Sequence, residues 1–371
     1  MNDKPIISII LGTRPEAIKL APLIISFNSS NKFHTRIILT GQHKEMVLKV
    51  MELFSLEANK NLDLMRENQS LTYISCEILE GLKKEFLTYP PKLVLVQGDT
   101  TTAFISALAA FYEKIPIGHV EAGLRTNDIF DPYPEEANRR LISQIATLHF
   151  CPTKSSKQNL LNSGIMKNIY LTGNTVIDSI LFMADKAKPK NSFENIDWEN
   201  NRIILITVHR RENWGENLQK ISLGIKKILN KYQDCIILFP LHPNKIVRDV
   251  FIKSLGDCSR VFLIEPLQYD ELVFAIKKCY FLITDSGGLQ EEAPSLGKPV
   301  LVVRENTERP EAIIAGTSKL VGTEPDNIFI EANHLLSNKT YYSKMSKAIN
   351  PFGDGKASER ILSACCEFLG L

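Results

Sequence analysis

Ile6-Ile7-Ser8-Ile9-Ile10-Leu11 runs straight into Gly12-Thr13-Arg14-Pro15-Glu16. The first segment is apolar almost throughout, the glycine suits a tight turn, and the proline suits the first turn of a helix. The same unit recurs along the chain. Thr35 to Thr40, Leu93 to Gln97 and Ile115 to Val120 follow in the first half. Ile203 to Val208, Cys235 to Phe239, Val261 to Ile264, Phe281 to Thr284 and Val300 to Val303 follow in the second, with longer amphipathic stretches between. Strands apolar on both faces that alternate with helices predict parallel sheets covered on each side, an α/β fold. The series pauses between about Asp185 and Asn200, where Lys186 to Ser192 and the Asn and Glu residues after them make a polar insert. The 371 residues are thereby split into two βα arrays of similar size, in keeping with roughly 100–200 residues per domain.

Composition leaves recognition to local sites. The chain has 44 basic and 42 acidic residues and is 44% hydrophobic and 23% charged. These values exclude a disordered chain and give no bulk electrostatic attraction to nucleic acid or membrane. No stretch reaches the roughly 20 apolar residues of a membrane-spanning helix, and the N-terminus lacks the segments of a signal peptide. Cys76, Cys151, Cys235, Cys258, Cys279, Cys365 and Cys366 form an odd set without a CxxC pair. Buried thiols in a reducing cytoplasm are expected.

In open parallel sheets ligands collect outside the carboxyl ends of the strands. After the first strand, a helix N-terminus beside Arg14 and Lys19 is either an anion site or an ordinary turn with two solvated cations. The third strand ends in Gln97-Gly98-Asp99-Thr100-Thr101-Thr102, where Asp99 could cap the next helix. The next ends in His119-Val120-Glu121-Ala122-Gly123-Leu124-Arg125-Thr126 and sets a carboxylate and a guanidinium at the same rim, where a salt bridge would also explain them. Pro134-Glu135-Glu136-Ala137-Asn138-Arg139-Arg140 starts a helix in which Glu135 with Arg139, and Glu136 with Arg140, are spaced as i,i+4 pairs. Such pairs commonly stabilise a surface helix. Against that stands the convergence of Asp99, Glu121 and Glu135 within one domain.

The second half carries cations and glycines. Ile203 to Val208 leads into His209-Arg210-Arg211-Glu212, a cluster suited to an anion. His242, between Pro240 and Pro243, is structural, interfacial or ligand-binding. Thr284-Asp285-Ser286-Gly287-Gly288-Leu289-Gln290-Glu291-Glu292 reads as strand, turn and helix start, with backbone N–H groups able to approach a diphosphate. Glu292, one turn further in, would repel phosphate but could grip ribose hydroxyls. Arg309 in Thr307-Glu308-Arg309-Pro310-Glu311 could bind phosphate or carboxylate with two parallel bonds.

Taken in order from Gly12 to about Gly322, these segments resemble the non-hydrolysing UDP-N-acetylglucosamine 2-epimerases. The specificity lies in the set, not in any one member. The resemblance implies two Rossmann-like doubly wound domains facing across a cleft, as in GT-B glycosyltransferases. Residues 1–171 would form the first and 172–350 the UDP-binding second, with 351–371 a helix packing back on the first. It implies a reaction in which the C2 proton is removed, UDP leaves C1 to give 2-acetamidoglucal, and UDP adds back with C2 reprotonated on the opposite face. Asp99, Glu121 and Glu135 would be the acid–base set, undivided between acid and base, with His209 beside them. Arg14, Lys19, His209, Ser286, Gly287, Gly288 and Arg309 would hold or activate UDP, Glu292 the ribose, and Leu267 and Leu272 the uridine side through backbone or packing contacts. Relatives hold a second UDP-N-acetylglucosamine as activator partly by a Gln-x-x-Gln pair and an arginine. Here those places read Gln42-x-x-Glu45 and Asn68, while Gln42, Glu136, Arg210 and His242 remain for such a site.

The resemblance further implies no nicotinamide or metal cofactor, UDP-N-acetylglucosamine and UDP-N-acetylmannosamine as partners, and a cytoplasmic homodimer supplying surface polysaccharide synthesis. The rivals are a glycosyltransferase of the same architecture, an epimerase that releases free N-acetylmannosamine, and a non-catalytic UDP-sugar sensor. Fold alone does not separate them. A transferase has little use for three carboxylates around C2, and a sensor would be indifferent to substitution of Glu121.

Overall fold

The computed structural model describes residues 4–41, 44–64, 69–189 and 193–371. The chain divides into two compact units, residues 1–179 with 352–371 and residues 180–351. In the first, β1 (Ile6–Leu11), β2 (His34–Leu39), β3 (Lys60–Asn61), β4 (Leu93–Gln97), β5 (Ile117–Val120), β6 (Leu148–Cys151) and β7 (Ile169–Leu171) form one sheet in the order β3-β2-β1-β4-β5-β6-β7. In the second, β8 (Arg202–Thr207), β9 (Cys235–Pro240), β10 (Val261–Ile264), β11 (Phe281–Thr284), β12 (Val300–Val302) and β13 (Ser318–Leu320) form another in the order β10-β9-β8-β11-β12-β13. Every strand pair is parallel. Both orders are doubly wound and reverse direction once, between β1 and β4 and between β8 and β11.

The apolar runs become central strands because both of their faces are covered. Ile7, Ile9, Ile10 and Leu11 are all 0–1% exposed, so neither face of β1 meets water. One face of the first sheet packs Ile10, Val94 and Val96 against Ile78, Leu82 and Phe86 of the helix Leu71–Thr88 and Ala103 and Ala107 of the helix Thr101–Tyr112. The second unit packs Ile204, Ile206, Phe281 and Leu301 against Leu218, Ile221 and Ile225 of the helix Glu216–Lys231 and Ile328 and Leu335 of the helix Pro325–Ser337. Truncating one of these leucines or isoleucines to alanine costs about 2–5 kcal/mol.

Strands β3, β6, β7 and β13 have no counterpart among the predicted runs. β3 spans two residues and β7 and β13 three each, and β6 reads Leu-His-Phe-Cys with its histidine buried in the sheet. Pairing to a formed neighbour, not local hydrophobicity, makes these segments strands.

The helix Ala357–Leu369 belongs to the first unit. Its first turn donates the N–H groups of Ala357 and Ser358 to the carboxylate of Asp178, at 3.2 and 2.7 Å. Among the described residues no helix is long and apolar enough to cross a membrane. Cys151, Cys235, Cys279, Cys365 and Cys366 are buried free thiols, Cys258 is half-buried and Cys76 exposed.

Candidate active site

In the first unit the rim around the strand reversal carries the predicted acids. Glu121 follows β5 with φ 64°, a left-handed conformation that a side chain with a Cβ rarely adopts, and it is 7% exposed. Its Oε1 accepts from Lys19 Nζ at 2.7 Å and from Asn174 Nδ2 at 2.9 Å. Its Oε2 accepts from the same Lys19 at 2.6 Å and from Gln97 Nε2. Lys19 is therefore an ion-pair partner of the glutamate. Gly98 turns the chain at φ 73°, a conformation suited to glycine, while a Cβ there would meet Glu121 Oε2 only at an ordinary contact distance of 3.6 Å.

Asp99 does not cap the helix that follows it. Thr100 does, its hydroxyl accepting the N–H of Ala103 at 3.0 Å. The Asp99 carboxylate instead accepts Arg139 Nε at 2.8 Å and lies 2.7 Å from Arg139 Nη2, while Asn138 Nδ2 donates to the Asp99 carbonyl at 2.8 Å. Burial works against the charge of Arg139, but Asp99 and Glu136 outweigh it and hold its pKa above the ordinary value. The expected Glu135–Arg139 pair is thus replaced: Asp99 across the rim takes Nε and Nη2 of the guanidinium, and Nη1 donates to Glu136 at 3.2 Å. The expected Glu136–Arg140 pair forms at 2.7 Å. Glu136 is fully buried and also accepts the N–H of Thr126 at 3.0 Å. Glu135 sits half-buried in the first turn of the helix Glu135–Ile145 without an ion-pair partner among the described residues.

The helix N-terminus after β1 is capped from within. Glu16 accepts the N–H groups of Gly12 and Thr13 at 2.9 and 2.6 Å and the hydroxyl of Thr100 at 2.6 Å. Burial pushes its carboxyl above the usual range despite these bonds. The chain's own carboxylate occupies the position expected for an anion, and Arg14, half-buried, has no ion-pair partner among the described residues. A Glu121–Arg125 bridge, the alternative explanation of the two charges, does not form: Arg125 donates to Ser143 Oγ at 2.9 Å and to the Leu124 carbonyl at 2.7 Å. Fully buried His119 meets the Gly98 carbonyl at 2.7 Å, and burial lowers its pKa to about 3, so it stays neutral.

In the second unit the reversal between β8 and β11 is organised by Asp285, which is fully buried. Its carboxylate accepts the N–H of His209 at 2.9 Å, the N–H of Arg210 at 2.8 Å and Asn213 Nδ2 at 3.0 Å, and His209 Nδ1 lies 3.2 Å away. Burial alone would raise the pKa of Asp285, but His209 and the backbone donors outweigh it and hold the carboxyl below its usual range. The rings of His209 and His242 stack at 5.4 Å. Burial and the neighbouring His209 lower the pKa of His242.

Beside this lies a cluster of guanidinium groups. Arg210, Arg304 and Arg309 approach Glu308 at 3.8, 3.5 and 4.0 Å, and they hold its carboxyl low against the effect of burial. Arg309 Nε donates to Glu291 and Arg304 Nε to Glu212. Gly287 lies under two of the three: a Cβ there would stand 3.7 Å from Arg210 Nη2 and 3.9 Å from Arg309 Cζ. Ser286 precedes the short helix Gly287–Glu292 without its hydroxyl capping it. Glu292, 8% exposed, accepts Tyr269 Oη at 3.2 Å. Leu267 is buried and Leu272 half-buried. Gln42 and Asn68 lie outside the described residues. Among those described, no group of three or more His, Cys, Asp or Glu side chains could hold a metal ion.

Sequence reasoning missed Asp285, Gln97 and Asn174. Gln97 ends β4 and Asp285 follows β11, both inside quoted motifs, whereas Asn174 carried no local signal.

Known proteins of similar sequence and fold place the chain in context. The sequence profile of the UDP-N-acetylglucosamine 2-epimerase family matches residues 26–365. The UDP-N-acetylglucosamine 2-epimerase of Campylobacter jejuni is 47% identical over 368 residues, covering 96% of each chain. The crystal structure of the Neisseria meningitidis enzyme bound to UDP-GlcNAc matches with a TM-score of 0.88 at 44% identity, covering 98% of this chain and 100% of that one. The Methanocaldococcus jannaschii enzyme in complex with UDP-GlcNAc and UDP matches with a TM-score of 0.79 at 34% identity, covering 98% and 99%. This chain is accordingly an enzyme of the isomerase class and belongs to the UDP-N-acetylglucosamine 2-epimerase family.

Proposed function

We propose that this enzyme interconverts UDP-N-acetylglucosamine and UDP-N-acetylmannosamine by inversion at C2. A carboxylate takes the C2 proton, the electron pair of that bond forms the C1=C2 double bond of 2-acetamidoglucal, and the C1–O bond breaks as UDP departs. UDP then re-adds to C1 as C2 is protonated from the opposite face. The observation that carries this reading is the Glu121 carboxylate, buried, in a left-handed backbone and surrounded by donors. A carboxylate that only accepts hydrogen bonds is ionised, the form that can remove a proton. Asp99 and Glu135 complete the acid–base set, and Lys19 acts through Glu121.

UDP needs positive charge where the leaving group develops its own. Arg210, Arg309, His209 and the N–H groups after Ser286 supply it, with diphosphate displacing Glu308 as the partner of the arginines. Glu292 suits the ribose hydroxyls. The product serves surface polysaccharide synthesis, and the enzyme works as a homodimer, which light scattering at twice the chain mass would report.

Incubation with UDP-N-acetylglucosamine in D₂O, followed by proton NMR without metal or nicotinamide, tests the reaction. Deuterium should enter C2 as UDP-N-acetylmannosamine accumulates. Absence of exchange, with UDP released only when a sugar acceptor is added, would overturn it in favour of a glycosyltransferase.

A further inference from the structure

Each oxygen of Glu121 carries one ammonium and one amide contact. Lys19 reaches both oxygens, Asn174 Nδ2 reaches Oε1 at 2.9 Å, and Gln97 Nε2 reaches Oε2. Both amide residues are 2% exposed, and they arrive from different elements, Gln97 at the end of β4 and Asn174 immediately before the helix Thr175–Lys186. The orientation of the Asn174 amide is fixed by its other end, where Oδ1 accepts the N–H of Val176 at 3.2 Å, so the NH₂ must face the glutamate. The position of that residue is fixed in turn by its own N–H, which donates to the Phe352 carbonyl at 2.7 Å.

We propose that Gln97 and Asn174 are positioning residues for the C2 chemistry, a pair of amides that clamps the two oxygens of Glu121 and keeps the group ionised between turnovers. The role in catalysis rests on the reaction proposed above; the clamp does not. An amide NH₂ donates and does not accept, so both contacts favour the carboxylate over the carboxylic acid. They also stop rotation about the terminal torsion, which Lys19 alone, a flexible chain ending in a point charge, does not. A proton taken from C2 thus enters a carboxyl whose surroundings favour giving it up again, as a reversible reaction requires.

The test reads Glu121 directly. Protein labelled with ¹³C at the glutamate δ carbon is titrated by NMR, and the resonance lost in Glu121→Gln identifies the group. In Asn174→Asp a second carboxylate replaces the donor, and the Glu121 midpoint should move to higher pH by about one pH unit or more. In Gln97→Leu, which removes a donor without adding charge, it should move the same way by less. Should Asn174→Asp not fold, Asn174→Ser with Gln97→Leu decides the matter. In turnover assays both positions should lower kcat about 10- to 100-fold with KM within about threefold, the mark of a group that acts on the reacting carboxylate. A midpoint unchanged in the folded variants overturns the clamp. A shifted midpoint with unchanged kcat overturns its role in catalysis. Wild-type protein that fails to exchange C2 overturns the reaction instead and leaves the titration to judge the clamp.

Discussion

His209 Nδ1 faces Asp285 Oδ1 at 3.2 Å, and the same carboxylate accepts the main-chain N–H of His209 itself. The residue is thereby held at both backbone and ring, with Nδ1 carrying the proton toward Asp285 and Nε2 left for another partner. Stacking on His242 at 5.4 Å fixes the plane of the ring.

Asp285→Asn should therefore damage function more than its size suggests. An asparagine can present its amide or its carbonyl to Nδ1, so the tautomer is no longer enforced, and Arg210 N–H and Asn213 lose a charged acceptor. We expect kcat/KM to fall on the order of 10²-fold or more. Steady-state kinetics checks this, and full activity in the variant would remove Asp285 from the site.

Glu121→Gln should separate binding from chemistry. The glutamine cannot take a proton, and it points an NH₂ at a site lined by donors. We expect kcat to fall about 10²- to 10⁴-fold. UDP affinity, measured by calorimetry, should stay within about threefold, because the contacts proposed for uridine diphosphate belong to other residues. Loss of UDP binding in step with kcat would make Glu121 a ligand-binding group.

Much of this arrangement was legible in the sequence. Ile6–Leu11, Leu93–Gln97, Val261–Ile264 and Phe281–Thr284 are strands with the predicted bounds, because a run apolar on both faces has no other stable use in a chain of this kind. Asp99, Glu121 and Glu135 were singled out because they follow strands or open a helix at one rim. The pairings were not legible. Glu135 and Arg139 have ideal helical spacing, yet Arg139 turns to Asp99, 40 residues away in sequence. Asn174 meets Glu121 across 53 residues, with no periodicity to announce it. Local spacing gives which groups can meet; only the strand order decides which of them do.

Gly287→Ala should distinguish a fold requirement from a ligand requirement. An added Cβ would stand in ordinary contact, 3.7 Å from Arg210 Nη2, so the free protein has room for it. Alanine is also the better helix former by about 1 kcal/mol. The melting temperature should hold or rise slightly. If diphosphate approaches this turn as proposed, the methyl group intrudes on it, and UDP affinity should fall about tenfold or more, about 1.4 kcal/mol. Unchanged affinity would move the diphosphate elsewhere.

Two buried carboxyls should give stability curves of opposite slope. Asp285 is held below its unfolded value, about 3.9, so its ionised form stabilises the fold above that pH, and the contribution is lost as pH falls through the lower folded value. The destabilisation caused by Asp285→Asn, measured by urea unfolding, should therefore be greatest near neutral pH and shrink below about pH 4. Glu16 is raised by burial, so its titration works the other way: its contribution is fully present below the unfolded value of about 4.3 and fades as pH rises through the higher folded value. The loss of the Gly12 and Thr13 N–H acceptor in Glu16→Ala, about 1–3 kcal/mol, should accordingly shrink as the pH is raised from 4 toward 7. An Asp285→Asn curve that stays level below about pH 4, or a Glu16→Ala curve that stays level from about pH 4 to 7, would mean that the carboxyl concerned does not titrate with folding as its surroundings require.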